Sequence, residues 1–295
     1  MERRAYGNTD MQVSILGFGG AEIGNKDLPT VEKLLHSALD AGLNVIDTAE
    51  CYGNSEELIG KALAGRRSEY YLFTKCGHAS GLDYPDWDPV LLEKTIDRSL
   101  QRLQVDYVDI IHLHSCSEEI LRQGEVIEVL KKAKEQGKTR YIGYSGDTKD
   151  ALYAVQTGVF DSLETSVNIA DQEAIDLTIP EALQRGMGVI AKRPIANVAW
   201  QHDTLSEQDY AYPYWLRLGE LNYDFLTDVQ QGVETALRFT LSTLGVATAI
   251  VGTANPGRWQ QNAELLAKGP LPQEVYEAIR HRWKEVAGAD WVGKV

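Results

Sequence analysis

The chain has 295 residues, 43% hydrophobic and 24% charged, the proportions of a soluble globular protein long enough to bury one sizeable core. A net charge of -14 repels nucleic acid and anionic lipid, and no Lys/Arg run offsets it. No stretch approaches the ~18 apolar residues of a membrane helix. The opening MERRAYGNTD does not read as a secretory signal, and three cysteines argue against a disulfide framework, so the expected compartment is the cytoplasm.

In chain order, RRAYGNTDMQVSI places a Gly-Asn turn between extended stretches and predicts a hairpin ahead of the main fold. Eight strand-like runs follow, each leading into a helical pattern. They are VSILGFG from Val13, NVIDTA from Asn44, YLFTKC from Tyr71, VDIIHLH from Val108, YIGYSG from Tyr141, FDSLETSVN from Phe160, GVIAKRPI from Gly188 and ATAIVGT from Ala247. Several are nearly all apolar, as strands covered on both faces should be. Val31, Leu34, Leu35, Ala38 and Leu39 form one helical stripe between Pro29-Thr30 and Gly42. Leu92, Ile96, Leu100 and Leu103 form another after Asp88-Pro89. The alternation predicts one α/β domain over residues 1–295, a (β/α)8 TIM barrel with an N-terminal β-hairpin, against a doubly wound sheet as competitor. The stretch from Asn197 to about Gln230, an extended loop after strand seven, is too long for a routine connection and rich in aromatics. Binding is its expected role, with a partner contact as the alternative.

Barrel chemistry belongs at the C-terminal strand ends. Asp47 closes the second run with Tyr52 in the loop after it, Lys75 closes the third and His114 the fourth. Side chains alternate along a strand, so Asp47, Lys75 and His114 converge at the mouth if their faces point inward. There Lys75 would lower the pKa of Tyr52, Asp47 would hold the buried ammonium, and His114 would orient a substrate carbonyl. Tyr52 becomes the general acid, and proton donation to a carbonyl implies a hydride source.

With these residues the chain resembles the aldo-keto reductases over essentially its whole length. Their Asp, Tyr, Lys and His tetrad matches Asp47, Tyr52, Lys75 and His114 in order and context. The resemblance implies an NAD(P)H-dependent oxidoreductase, with NADPH preferred and NADH possible. It implies cofactor contacts at Gly19, Gly20 and Ala21 beside the nicotinamide ribose, with Asp47, and at Ser145, Gly146 and Glu164 for the carboxamide. Glu164 stands where the family usually has glutamine and, ionised, can accept but not donate. Arg193, Ile195 and Ala196 would serve the pyrophosphate. Thr253, Asn255, Arg258, Gln261 and Asn262 would serve the adenosine and its 2′-phosphate, beside Gly252 where many members carry lysine.

Substrate contacts are expected from the loops after strands three, four and seven, at His78, Trp87, Trp200, Tyr212 and Trp215. The partner is a small carbonyl compound or sugar, not nucleic acid or membrane. No metal is expected, although Cys51, Cys76 and Cys116 follow adjacent strands near His78 and His114 and His/Cys clusters bind zinc; the bland reading is small buried residues. His112, one layer below His114, reads as a core histidine. Two other functions compete: a Schiff-base aldolase using Lys75 or Lys192, which Asp47 opposes, and a regulatory, redox-sensing barrel with little turnover.

Overall fold

The computed structural model describes residues 1–294. Among the described residues ten strands form: β1 (Arg3–Ala5), β2 (Gln12–Ser14), β3 (Leu16–Gly19), β4 (Val45–Asp47), β5 (Tyr71–Cys76), β6 (Val108–His114), β7 (Thr139–Ser145), β8 (Ser162–Ser166), β9 (Gly188–Lys192) and β10 (Val246–Val251). β1 and β2 pair as an antiparallel hairpin, and the other eight close into a parallel barrel in the order β10-β3-β4-β5-β6-β7-β8-β9. The architecture is the expected (β/α)8 barrel with its N-terminal hairpin. The run VSILGFG divides between the two sheets. Val13 and Ser14 belong to the hairpin, and the barrel strand starts at Leu16.

Each barrel strand buries both faces. The outer face meets helices such as Leu28–Asp40, whose Val31, Leu34, Leu35, Ala38 and Leu39 are all buried. Its start is set by Asp27, which accepts from the Thr30 amide, with proline in the first turn; Asp88 and Pro89 do the same for Pro89–Leu103. The inner face at the bottom is packed by Val45, Phe73, Ile110 and Ile190 against Tyr6, Met11 and Val13 of the hairpin. Tyr6 is wholly buried and its hydroxyl meets Ser162 Oγ at 2.5 Å. The turn that delivers it needs glycine. Gly7 has φ +52°, and a Cβ there would lie 2.4 Å from the Gly186 carbonyl oxygen. With its bottom plugged, the barrel is open to chemistry at its C-terminal end.

The expected long loop after β9 is largely ordered structure. It holds a 3-10 turn (Ala196–Gln201), a helix (Tyr212–Leu221) and a second 3-10 turn (Asp224–Thr227) before the helix Val229–Ser242. Tyr214, Leu218 and Leu221 recur at helical spacing and pack with Tyr223 against Phe239, Ile279 and Trp291, a second apolar cluster beside the barrel. No helix among the described residues is long and apolar enough to cross a membrane.

Candidate active site

At the barrel mouth, parity along β4 and β5 brings two opposite charges together. Lys75 Nζ donates to both Asp47 oxygens, at 2.7 and 2.6 Å, and to the Thr48 carbonyl at 3.0 Å. Both side chains are essentially closed to solvent. Lys75 Nζ stands 5.5 Å from the centroid of the Tyr52 ring, and that ring meets His114 edge-on at 6.0 Å. The four residues singled out from the sequence therefore lie side by side.

A second carboxylate, not foreseen as a lysine partner, closes the group. Glu164 Oε2 lies 3.3 Å from Lys75 Nζ, across the barrel from β5. Burial alone would drive a proton off Lys75, but Asp47 and then Glu164 outweigh it and hold the ammonium charged, above its usual range. The two acids share one cation, so the pair releases its first proton easily and its second with difficulty. Burial, then the Glu164 charge, pushes Asp47 well up against the pull of Lys75. Glu164, which burial would raise, is brought down to about 2 by Lys75 and then His112.

The effect of Lys75 on Tyr52 differs from the sequence expectation. Lys75 is the main influence lowering the phenol's pKa, but burial is larger and the net direction is upward. Tyr52 is thus a firmly protonated donor. His114 is held neutral, its pKa pushed well down by burial and then by Lys75. His112 is a core histidine, as expected, but only half satisfied: its Nε2 meets Ser162 Oγ at 2.8 Å, continuing the line from Tyr6 below, while its Nδ1 is buried without a hydrogen bond, 4.0 Å from Glu164 Oε2, and burial takes its pKa down to about 4.

Some positioning residues carry no obvious sequence signal. Gly24 receives the Tyr52 turn so closely that a Cβ would lie 2.1 Å from the Tyr52 carbonyl oxygen. Ser55, buried behind that turn, donates to the Gly20 carbonyl at 2.8 Å and meets Thr48 Oγ1 at 2.9 Å.

Next to the tetrad, β7 and β8 pair Ser145 with Glu164 in register. Ser145 Oγ and Glu164 Oε2 are both buried without a hydrogen-bond partner. Gly19 pairs with Asp47, and a Cβ at Gly20 would come within 2.8 Å of the Asp47 carbonyl. Ala21 lies in the 3-10 turn Gly20–Ile23 that follows, and Gly146 is packed against the Tyr144 ring. Beyond this lies a cleft of about 1000 Å³ that includes Ile195, Gly252, Thr253, Arg258, Gln261 and Asn262, roofed by Thr227–Gln230 of the long excursion. Asn255 holds its own turn, accepting from the Gly257 amide at 3.0 Å. The approach from β9 is backbone-strained: Arg193, Ala196, Asn197 and the β-branched Val198 all have positive φ. Arg193 turns its guanidinium to Ser166, to Tyr210 at 2.7 Å and to the Lys294 carbonyl. Ala196 is buried with its amide donated to the Arg193 carbonyl at 2.9 Å.

Of the substrate-loop residues, His78 and Trp87 stand at the tetrad. The His78 ring centroid is 4.9 Å from that of His114, and Trp87 Nε1 donates to the His114 carbonyl at 2.8 Å. Trp200 packs against Gly232, and Tyr212 stacks on Trp215, whose ring borders the second apolar cluster. The cysteines divide. Cys76 and Cys116 are buried in the layer between barrel and helices, whereas Cys51 is exposed at the mouth.

The profile of the Aldo/keto reductase family matches residues 15–284. The chain belongs to that family. L-galactose dehydrogenase of Arabidopsis thaliana is 31% identical, covering 99% of this chain and 97% of that protein. The NADH-specific methylglyoxal reductase of Escherichia coli K12 is 30% identical over 66% of this chain and 68% of its own. Among solved structures, the holo form of an aldo-keto reductase from Bacillus halodurans superposes with a TM-score of 0.82 at 26% identity, covering 99% of both chains. The general activity is that of an oxidoreductase reducing carbonyls with NAD(P)H.

Proposed function

We propose that this aldo-keto reductase interconverts a small aldehyde, ketone or sugar and its alcohol, with Tyr52 as general acid and base and NADPH preferred over NADH. The observation that carries the reading is the buried Lys75, gripped by Asp47 directly beside Tyr52 and His114.

The residues fit a dinucleotide. A carboxamide needs one acceptor and one donor, and Glu164 Oε2, in ion contact with Lys75 but without a hydrogen bond, and the unpartnered Ser145 Oγ offer them side by side. Gly19, Gly20 and Ala21 supply close backbone next to Asp47, and the cleft beyond has the volume for the adenosine half. When bound, the nicotinamide supplies the hydride. Everything else falls to the chain. His114, neutral, donates its N–H to the carbonyl oxygen and orients it. Tyr52 gives its proton to that oxygen as negative charge develops there. A phenol kept protonated by burial suits this step, because an alkoxide is the stronger base. The charge of Lys75 steadies the tyrosinate left behind, and in the oxidative direction helps Tyr52 take the proton back.

Arg258 in the cleft supports NADPH through a charge-assisted contact to the 2′-phosphate. Gly252 supplies no lysine there, and one relative is named NADH-specific, so comparing NADPH with NADH tests this part of the reading. The names of two relatives, L-galactose dehydrogenase and 6-dehydroglucose reductase, favour a sugar among the carbonyl substrates. A Schiff-base role for Lys75 is disfavoured because two carboxylates keep it charged. The intact tetrad likewise speaks against a barrel that only senses redox state. The test is to follow the absorbance of the reduced cofactor with aldehydes, ketones and sugars, and of the oxidised one with the alcohols. Turnover with sugars and NADPH supports the full reading, and no turnover with any carbonyl refutes it.

A further inference from the structure

We propose that Cys51, His78 and His114 form a zinc site at the mouth of the barrel. They come from the ends or following loops of three consecutive barrel strands, and one ligand atom of each lies within 4.8 Å of the others. Cys51 Sγ and His114 Nδ1 are 3.7 Å apart. Zn–S of about 2.3 Å and Zn–N of about 2.0–2.1 Å, at a tetrahedral angle, require a ligand-to-ligand edge of about 3.5 Å. The Cys51–His114 edge is nearly in place before any ion arrives, and His78 offers a ligand atom within 4.8 Å of both.

An independent observation points the same way. His78 Nδ1 meets Asp86 Oδ2 at 2.8 Å, and the other Asp86 oxygen accepts from the Ala79 amide at 2.8 Å. A carboxylate accepts only, so Nδ1 carries the proton and Nε2 keeps the lone pair a metal needs. This carboxylate–histidine pairing is the usual orienting contact behind a metal-bound histidine. His78 is fixed further by its amide, which donates to Glu50 Oε1 at 2.9 Å, and by the Trp87 ring. Cys51 is exposed, so an ion can reach it. The other compact group at the mouth, Asp47, His112 and Glu164, already holds a cation, the Lys75 ammonium.

Three protein ligands leave zinc one vertex for water. On binding, the Cys51 thiol loses its proton to solvent, the Zn–S bond forms and aquo ligands leave; nothing is oxidised or reduced. Zinc on His114 Nδ1 leaves that ring its Nε2–H but sets an ion and its water against the ring at the barrel mouth, where the substrate carbonyl must approach it, so the filled site inhibits turnover. This consequence rests on the role given to His114 above.

The experiment titrates the full, chelator-stripped chain with zinc against a chromogenic competitor, and in parallel with cobalt(II). Expected is one ion per chain, with thiolate-to-cobalt absorption in the near ultraviolet. Cys51→Ser removes that absorption, and Cys51→Ser and His78→Gln each weaken zinc binding roughly tenfold or more, while His202→Gln, at an exposed histidine, leaves it unchanged. Whatever its basal turnover, Cys51→Ser escapes zinc inhibition. Absence of the thiolate band, or wild-type affinity in both ligand variants, overturns the site. A Cys51-dependent band without zinc inhibition supports the site and counts instead against the catalytic role of His114.

Discussion

Lys75 Nζ lies 2.6 and 2.7 Å from the two oxygens of Asp47 and 3.3 Å from Glu164 Oε2, all out of reach of solvent. Although burial pushes the Asp47 carboxyl up while Lys75 brings Glu164 down, the contact distances decide the anchoring: the shorter, two-pronged contact makes Asp47 the holder of the lysine and Glu164 its weaker partner. Asp47→Ala should therefore cost about 3 kcal/mol or more in denaturant unfolding, the scale of a broken buried pair. Glu164→Gln should cost less than about 1 kcal/mol, because it leaves Lys75 paired and ends the competition between acids. The reverse ranking in urea titrations would show that Glu164 is the anchoring partner.

Gly24 leaves no room for a side chain under the Tyr52 turn, its virtual Cβ being 2.1 Å from the Tyr52 carbonyl oxygen. Gly24→Ala is expected to destabilise by about 1–3 kcal/mol through overpacking. Turnover should fall by roughly 100-fold, since a shift of about 1 Å in a reacting group has that effect. Cofactor binding should change little. Steady-state kinetics alongside fluorescence titration of the cofactor separates the two effects.

Burial, and then the Asp147 charge, lifts the Asp171 carboxyl from 3.8 to about 7, although it accepts from the Tyr214 hydroxyl at 3.0 Å and the Lys294 amide at 3.2 Å. Between those pH values the folded chain holds a proton that the unfolded chain has released. The stability Asp171 contributes is fully present below 3.8 and is lost as pH rises through about 7. The slope is at most ~1.4 kcal/mol per pH unit. Asp171→Asn should flatten the fall in melting temperature from pH 5 to pH 8. An unchanged difference between the two pH values would refute the assignment.

Arg258 opens the helix Arg258–Leu266 and lines the cleft proposed above for the adenosine half of the cofactor. Its loss should weaken NADPH by about 1.5–3 kcal/mol, the range for a hydrogen bond to a charged group, and NADH by no more than about 0.5 kcal/mol. Equal weakening, measured by calorimetry, would reduce Arg258 to a stacking contact and remove the basis for the cofactor preference.

The barrel was legible because strands covered on both faces write themselves as short apolar runs, and the helix Leu28–Asp40 as one stripe. The split at Ile15 was not, since one apolar run serves both sheets. The helix Tyr212–Leu221 was hidden because its buried positions sit among aromatics that also suit a loop. Asp47, Lys75 and His114 could be brought together from parity and strand order, and Tyr52 from its place in the loop after β4 and the family resemblance. The Glu164 contact with Lys75 could not, because it crosses the barrel and depends on strand tilt that sequence does not display. The role of Gly24 was invisible for a similar reason: only the closed turn shows what a methyl group would strike. The acidity of Tyr52 went the other way from the charge argument because desolvation, which depends on packing, outweighs Lys75.

Replacing Tyr52 with phenylalanine tests the account most directly, because it removes one oxygen and keeps the ring beside Lys75 and His114. The account predicts that kcat for carbonyl reduction falls by about 10²–10⁴, the usual worth of a positioned general acid, while the dissociation constant of the reduced cofactor stays within about twofold. Turnover within a few-fold of the parent protein would contradict it.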